Sequence, residues 1–412
     1  MKKDILIVGA GIIGLMTAYC LLKSGRSVTV IDKGDITNGT SFGNAGLLTA
    51  FKKAPLSTPG VLKNTLKLML KGESPVSIHP TFDLRLYKWL FKFATNATEN
   101  RLKKTLALFE RYGSISLNMY EKMAQEDNMD FYFCKDGLLM IYTEQNSFDD
   151  KASHCNNRKE YEVLTKEKTK EYMPILNDNV VGSILLKENG HIDPSEFMLE
   201  LKKHLLKNGV EFLLHEEVQR LEFQGSKVSK VHTSKDSYEA ETFVLSTGAD
   251  DTLAKQAKNK FIMTPAKGYS ITFKMDEILK PKTASLFSDL FIAMTPRRDT
   301  IRMTSKLELG TTNPEIIKKQ IQSIHNNLAR YTNSFEKREM IEWTGFRPLT
   351  PNDIPILGYD ERYNNLVHAT GLGWLGMTFA PAIGKIINDV ITIDKKNETN
   401  IDILLFSAFY QG

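Results

Sequence analysis

The residues of this chain best suited to chemistry stand near its start: Gly9, Gly11 and Gly14 in the order Gly-x-Gly-x-x-Gly, with Asp32 18 positions beyond the last of them. Glycines so spaced allow a tight turn and close approach of a pyrophosphate, and a carboxylate at that distance accepts hydrogen bonds from ribose hydroxyls. The same carboxylate would repel a 2′-phosphate, so NADP is disfavoured and NAD and FAD remain open. The other reactive side chains are scattered. Cys20, Cys134 and Cys155 make no Cys-x-x-Cys pair, and the 8 histidines fall in no His-x-His or His-Glu-x-x-His spacing, so a metal centre has no support in the sequence. An odd, dispersed cysteine set is a poor disulfide framework and fits a reducing compartment, which makes the expected location cytoplasmic.

Elements must hold these residues in place. Ile5 to Val8 is an apolar run suited to a buried parallel strand; the glycines turn the chain into an apolar helix ending at Gly25; Val28 to Ile31 is a second strand, ending at Asp32. The helix start offers unpaired N–H groups to phosphate. The next stretch, "KGDITNGTSFGNAGLL", is a loop of small polar residues able to present backbone N–H groups to a ligand, where a further helix would be ordinary. "ETFVLSTGAD" is another strand running into Thr247 and Gly248. "NLVHATGLGWLGMTFAPAIGKIINDVI" is a strand, a glycine loop and a helix whose Ile383, Ile386, Ile387, Val390 and Ile391 keep helical spacing, with Pro381 fitting its first turn. That helix start could stabilise a reduced, anionic flavin. Three distant pieces thus form one dinucleotide domain. At 412 residues, 42% hydrophobic and 25% charged, the chain has room for a second. The opening resembles a signal peptide only superficially, because glycines interrupt its apolar run, and Leu366 to Gly384 is too rich in glycine and proline for a membrane span.

Gly9-x-Gly11-x-x-Gly14 with Asp32, then "TSFGNAG", "HIDPSEF", "LSTGA", "GFRPLTPNDIPILG" and "TGLGWLG", in that order along nearly the whole chain, resemble the FAD-dependent D-amino acid oxidase superfamily. Within it the likeness is greatest to bacterial D-amino acid dehydrogenases. The resemblance implies an α/β fold in which a Rossmann-like FAD-binding domain (1–50, 186–250 and 340–412) is interleaved with an antiparallel-sheet substrate or cap domain (51–185 and 251–339). The stretch after Asp193–Pro194 fits a helix stopped by Gly209. The cofactor positions implied are Gly9, Gly11, Ile12 and Gly14; Asp32 and Lys33; Ser41, Asn44, Ala45 and Gly46; Val218, against adenine; Thr247 and Gly248; and Gly371, Gly373, Trp374, Leu375, Gly376, Met377 and Thr378. Related dehydrogenases read like "SFANAG" and "TGHGTLGWT", whereas here Gly43 replaces an alanine, and Leu372, Trp374 and Met377 stand for histidine, threonine and tryptophan. The flavin surroundings therefore differ. Relatives with covalent flavin use a late cysteine or an early histidine; Cys155 is the last cysteine and His79 the first histidine, so FAD is expected to be non-covalent.

The implied reaction is oxidation of a small amino acid at Cα, hydride passing to flavin N5 and the imine hydrolysing to a 2-oxo acid and ammonium. A carboxylate in a buried pocket calls for a guanidinium fork, and Arg347 in "GFRP" resembles the carboxylate anchor of related amine oxidases. Tyr269 in "PAKGYSITF" is the second catalytic candidate, its hydroxyl on the carboxylate or amine, and Lys267 is read as a solvent lysine. Reaction through the neutral amine needs no dedicated base. The alternatives are an oxygen-using glycine, sarcosine or D-amino acid oxidase and a non-catalytic flavin-binding partner protein.

Residues 51–104 hold 11 Lys or Arg against 3 acids, a net +8 in a chain of net +5. In "LRLYKWLFKF", Arg85, Lys88 and Lys92 share a helical face flanked by Leu86, Trp89, Leu90 and Phe93, and Lys63, Lys67 and Lys71 make a similar stripe. The plain reading is cap helices with solvated faces; the functional one is contact with an anionic membrane at the inner face of the cell membrane, where a quinone would accept the electrons. The patch comes with no nucleic-acid-binding motif, so nucleic acid is not expected. Oligomeric state is left open.

Overall fold

The computed structural model describes residues 2–50, 56–59, 74–155, 158–333 and 339–392. Its first large sheet has six strands in the order Glu211–Leu213, Val28–Ile31, Lys3–Val8, Ala240–Leu245, Leu366–Thr370 and Ile356–Tyr359. All neighbours are parallel except the last pair. The strands Val28–Ile31 and Leu366–Thr370 are buried along their whole length, as expected of a parallel sheet covered on both faces. Helices Ile12–Lys23, Glu99–Gln125, Pro194–Lys207 and Gly376–Thr392 share one core beside it, through residues such as Leu15, Tyr120, Phe197 and Ile383. On the other face, a small sheet of Val218–Gln224, Lys227–Thr233 and Ser237–Tyr238 packs Leu221, Val228 and Val231 against Leu6, Phe243 and Leu245.

The second large sheet has nine strands. Met340–Leu349, Thr264–Lys274, Thr300–Leu309, Ile292–Pro296 and Ala284–Phe287 run antiparallel to their neighbours; Leu138–Tyr142 then joins Ala284–Phe287 in parallel, followed by Gly182–Leu186 and Tyr161–Thr165. Val76–Ile78 adds to Thr300–Leu309 in parallel. The cap sheet is thus mixed rather than purely antiparallel. Helix Lys318–Ala329 buries Ile321, Ile324 and Leu328 in the core that holds Ile271, Phe273 and Met303. A third sheet, Leu47–Leu48, Gly190–Ile192 and Phe133–Cys134, links the first loop to the cap.

Two expectations shift. Met340–Leu349 pairs along its whole length with Thr264–Phe273, so the chain crosses back to the dinucleotide sheet after Leu349 and not at 340. The last helix begins at Gly376, which puts Pro381 inside it, not in its first turn. Proline cannot donate to the Met377 carbonyl, and that carbonyl is satisfied instead by the hydroxyl of fully buried Tyr120 at 2.6 Å. The helix at Pro194–Lys207 matches its signals: Asp193 accepts from Ser195 N (2.9 Å) and Glu196 N (3.4 Å), and Gly209 follows with φ +91°.

In the basic region, helix Leu84–Asn96 buries Leu86, Trp89 and Phe93 with Ala266, Leu309 and Leu349, and the Trp89 indole donates to Leu349 O at 2.8 Å. Lys52, Lys53, Lys63, Lys67 and Lys71 lie outside the described residues. Among the described residues no helix is long and apolar enough to cross a membrane.

Candidate active site

The carboxyl ends of the parallel strands open into a cavity of about 730 Å³, within the range of roughly 300–1,000 Å³ usual for cofactor and ligand pockets. Gly9, Gly11 and Ile12 line it from the first turn, Asp32 and Lys33 from the end of the second strand, and Ser41 and Asn44 from the loop that follows. Val218, Thr247 and Gly248 line it as well, and so do Gly373, Gly376 and Met377. Gly14 lies below the lining, where a Cβ would run into the Gly9 carbonyl, so only glycine lets the helix pack this closely on the strand. Ser41 Oγ accepts from Ile12 N (3.1 Å) and so fixes the loop to the helix start. Asp32 is held by two backbone donors, Ala10 N at 2.6 Å and Gly34 N at 2.7 Å, which aim the carboxylate into the cavity rim. A helix N-terminus, a fixed acid and a wall of small residues fit an ADP moiety.

Ala45, Gly46, Gly371, Trp374, Leu375 and Thr378 are not among the lining residues. Gly46 leaves no room for a side chain beside the Ile192 carbonyl, and Leu375 is buried in the core. Thr378 donates to Leu47 O (3.0 Å) and accepts from Thr49 N (3.3 Å), tying the last helix to the first loop. Trp374 bonds towards Asp353, whose carboxyl is pushed up to about 6 by complete burial despite hydrogen bonds from Ser57 N (2.9 Å) and Oγ (3.0 Å). Thr40 also ties the loop to the cap, its hydroxyl donating to Phe346 O (2.9 Å) and accepting from Phe346 N (3.2 Å); its only signal in the sequence is the small polar composition of the loop.

Strand alternation sorts the substrate candidates. Ala266 is paired with Arg347, Gly268 with Gly345 and Ser270 with Trp343, so these six share one face of the cap sheet. That face meets the first loop: Gly43 lies against the Trp343 indole, in the space its own Cβ would take. The Arg347 guanidinium lies over Gly268, again where a Cβ would be, and donates to Lys306 O at 3.2 Å. Burial pushes Arg347 down to about 10, which leaves it cationic at neutral pH. Among the described residues no carboxylate forms an ion pair with it. Arg302, also on this face and pushed down to about 9 by burial, is already committed: Nε donates to Thr272 Oγ1 (2.9 Å) and Nη1 to Phe42 O (2.9 Å) and Asn44 O (3.2 Å). Arg302 holds the loop, and Arg347 has capacity to spare.

Tyr269 does not join Arg347. It points to the opposite face, fully buried, and its hydroxyl donates to Glu308 Oε2 at 2.7 Å while Gln320 Nε2 donates to Oε1 at 2.6 Å. Burial, and then Glu308, push the phenol well above its ordinary range. Lys267, on the same rear face, is fully buried and donates to Glu315 O, so it is no solvent lysine. The signal was legible in "KGYSITF": large Tyr269, Ile271 and Phe273 alternate with small Gly268, Ser270 and Thr272, so the large set fills the cap core and the small set takes the face that meets the first loop. Ser270, next to Tyr269 in sequence, has a buried hydroxyl with no partner among the described residues.

The family described as "FAD dependent oxidoreductase" (DAO) matches residues 4–390. The chain is 57% identical over 411 residues to a D-amino acid dehydrogenase of Helicobacter pylori (strain J99), covering 100% of both. In fold it is similar to glycine oxidase from Geobacillus kaustophilus (TM-score 0.73, 20% identity, 98% of each chain). It is also similar to an L-α-glycerophosphate oxidase from Mycoplasma pneumoniae with FAD bound (TM-score 0.71, 17% identity, 96% of each chain). A nucleotide cradle, a cap sheet whose Arg302 is tied to the cradle's loop although Arg347 does not line the cavity itself, and a family match spanning both parts agree: this chain belongs to the DAO family of FAD-dependent oxidoreductases.

Proposed function

We propose that the protein oxidises small D-amino acids at Cα to the imine, which water hydrolyses to a 2-oxo acid and ammonium, and that the electrons leave to an acceptor other than oxygen. The observation that carries this reading is Arg347, a buried cation that among the described residues has one backbone acceptor and no carboxylate of its own. FAD, when bound, supplies the hydride acceptor. Arg347 would clamp the substrate carboxylate through two parallel charge-assisted bonds, with Gly268 keeping the space clear. Two buried guanidinium groups on this face, Arg347 and Arg302, disfavour a protonated amine and so favour the neutral one that hydride loss requires. Ser270 offers a hydroxyl on the same face. The dehydrogenase relative supports the D-amino acid substrate class. The test is an anaerobic screen of purified flavoprotein with D- and L-amino acids, glycine and proline derivatives. Bleaching by small D-amino acids, with little peroxide formed in air, is expected; a flavin left unbleached by every amine would sink the reading, and stoichiometric peroxide would make the protein an oxidase.

For the acceptor we favour a quinone reached at an anionic bilayer. Support comes from the outer face of helix Leu84–Asn96 and the turn before it, where Phe82, Leu84, Tyr87 and Phe91 stand exposed among Arg85, Lys88 and Lys92. Exposed aromatics beside cations suit a lipid headgroup boundary. Wild-type protein should float with anionic liposomes and lose that binding when Phe82 and Phe91 become serine. A wild type that stays at the bottom of the gradient removes this part of the proposal.

A further inference from the structure

We propose that Cys134, Asp136 and His191 form a zinc-binding site on the small sheet that joins the first loop to the cap. His191 lies in Gly190–Ile192 directly opposite Cys134 of Phe133–Cys134. Opposed residues of an antiparallel pair project from the same face, so the imidazole and the thiol meet by register. Asp136 follows two residues on. One donor atom from each, nitrogen, sulfur and oxygen, lies within 4.8 Å of the others. Zinc bonds of about 2.0–2.3 Å at tetrahedral angles set ligands roughly 3.3–3.8 Å apart. His191 Nδ1 and Asp136 Oδ1, 3.2 Å apart, are close to that spacing, and the thiol lies within 4.8 Å of the other two donors.

A second observation points to a ligand. His191 is 0% exposed, yet neither ring nitrogen has a hydrogen-bond partner of acceptable geometry among the described residues. Buried imidazoles are ordinarily satisfied on at least one nitrogen. The Asp136 carboxylate and the Cys134 thiol both act on the imidazole, yet neither contact reaches hydrogen-bond geometry. Metal binding engages all three side chains. Thr283 donates its hydroxyl to Asp136 Oδ1 at 3.0 Å, the outer contact that orients a ligating carboxylate. The Asp136 side chain is 35% exposed, which leaves an entry path and a fourth position for water. A thiolate with an imidazole and a carboxylate selects zinc over magnesium or calcium. Binding displaces the thiol proton and the imidazole proton held towards Asp136 to solvent, and changes no oxidation state.

The site would pin Phe133–Cys134 to Gly190–Ile192. Leu47, which leaves the Asn44–Gly46 loop, pairs with His191 on the other side. Zinc would therefore brace the back of the cofactor loop and take no part in the reaction. The expectation of no metal rested on local spacing; here strand pairing brings together residues far apart in the chain.

The FAD-loaded protein, dialysed against a chelator, is titrated with Zn2+ under competition with a chromophoric chelator, and the bound metal is examined by X-ray absorption. We expect one zinc per chain with one sulfur ligand and a raised Tm on binding. Cys134→Ser and His191→Gln should each weaken affinity by at least about 100-fold, with FAD content and circular dichroism unchanged. Should His191→Gln fail to fold, the near-isosteric Cys134→Ser at a partly exposed position decides alone. Wild-type protein without zinc at about micromolar free metal, or Cys134→Ser binding undiminished, overturns the proposal.

Discussion

Replacing Arg347 by alanine is expected to lower kcat/KM for a small D-amino acid by at least about 100-fold, with FAD content unchanged. Removing one partner of a buried, hydrogen-bonded charge pair costs roughly 2–5 kcal/mol, or about 30- to 5,000-fold. Arg347 belongs at the upper end because its guanidinium is buried and has one backbone acceptor. Loss of the clamp removes both binding and orientation, so KM should rise and the limiting rate of anaerobic bleaching should fall. Arg347→Lys keeps a charge but not the fork, and should lie between alanine and wild type. An alanine variant within threefold of wild type in stopped-flow bleaching would show that the carboxylate binds elsewhere.

Gly43→Ala is expected to destabilise the protein by about 1–3 kcal/mol, the usual cost of forcing one methyl into a filled space. The added carbon would overlap the Trp343 indole, and the displaced loop is the one that carries Asn44 into the cavity, so FAD should also dissociate faster. Alanine stands at this position in motifs of related dehydrogenases, which places the difficulty in the neighbour and not in the backbone. Trp343→Leu in the same chain should therefore recover most of the loss. Thermal melts and FAD release rates of the two single variants and the double variant form the cycle. Strictly additive effects would mean that Gly43 and Trp343 do not constrain each other.

The parts legible in the sequence were those whose signal is local. The first glycine turn, the strand that ends before Asp32 and the Asp193 cap each act within a few residues or one strand–helix unit, and each takes the local structure read for it. Tyr269 shows the limit. Its type suited the chemistry, but which face it takes depends on pairing with Met340–Leu349 and Thr300–Leu309, and only the alternation around it carried that information. Pro381 failed as a helix-start marker because Tyr120, from a helix far away in sequence, satisfies the carbonyl it strands. Likewise, nothing local told Arg302, tied to the loop, from Arg347, left open.

Strand Met340–Leu349 places Trp343 and Arg347 on one face, four residues apart. A strand has period two, so inserting or deleting a single residue between them would send one of the pair to the rear core while leaving the other in place. Divergence of substrate preference along this strand is thereby restricted to substitution; changes of length must fall in the turns at its ends. A mutagenesis library aimed at new amino-acid side chains should accordingly hold the strand's length fixed, keep Gly268 under Arg347, and vary Ser270 opposite it.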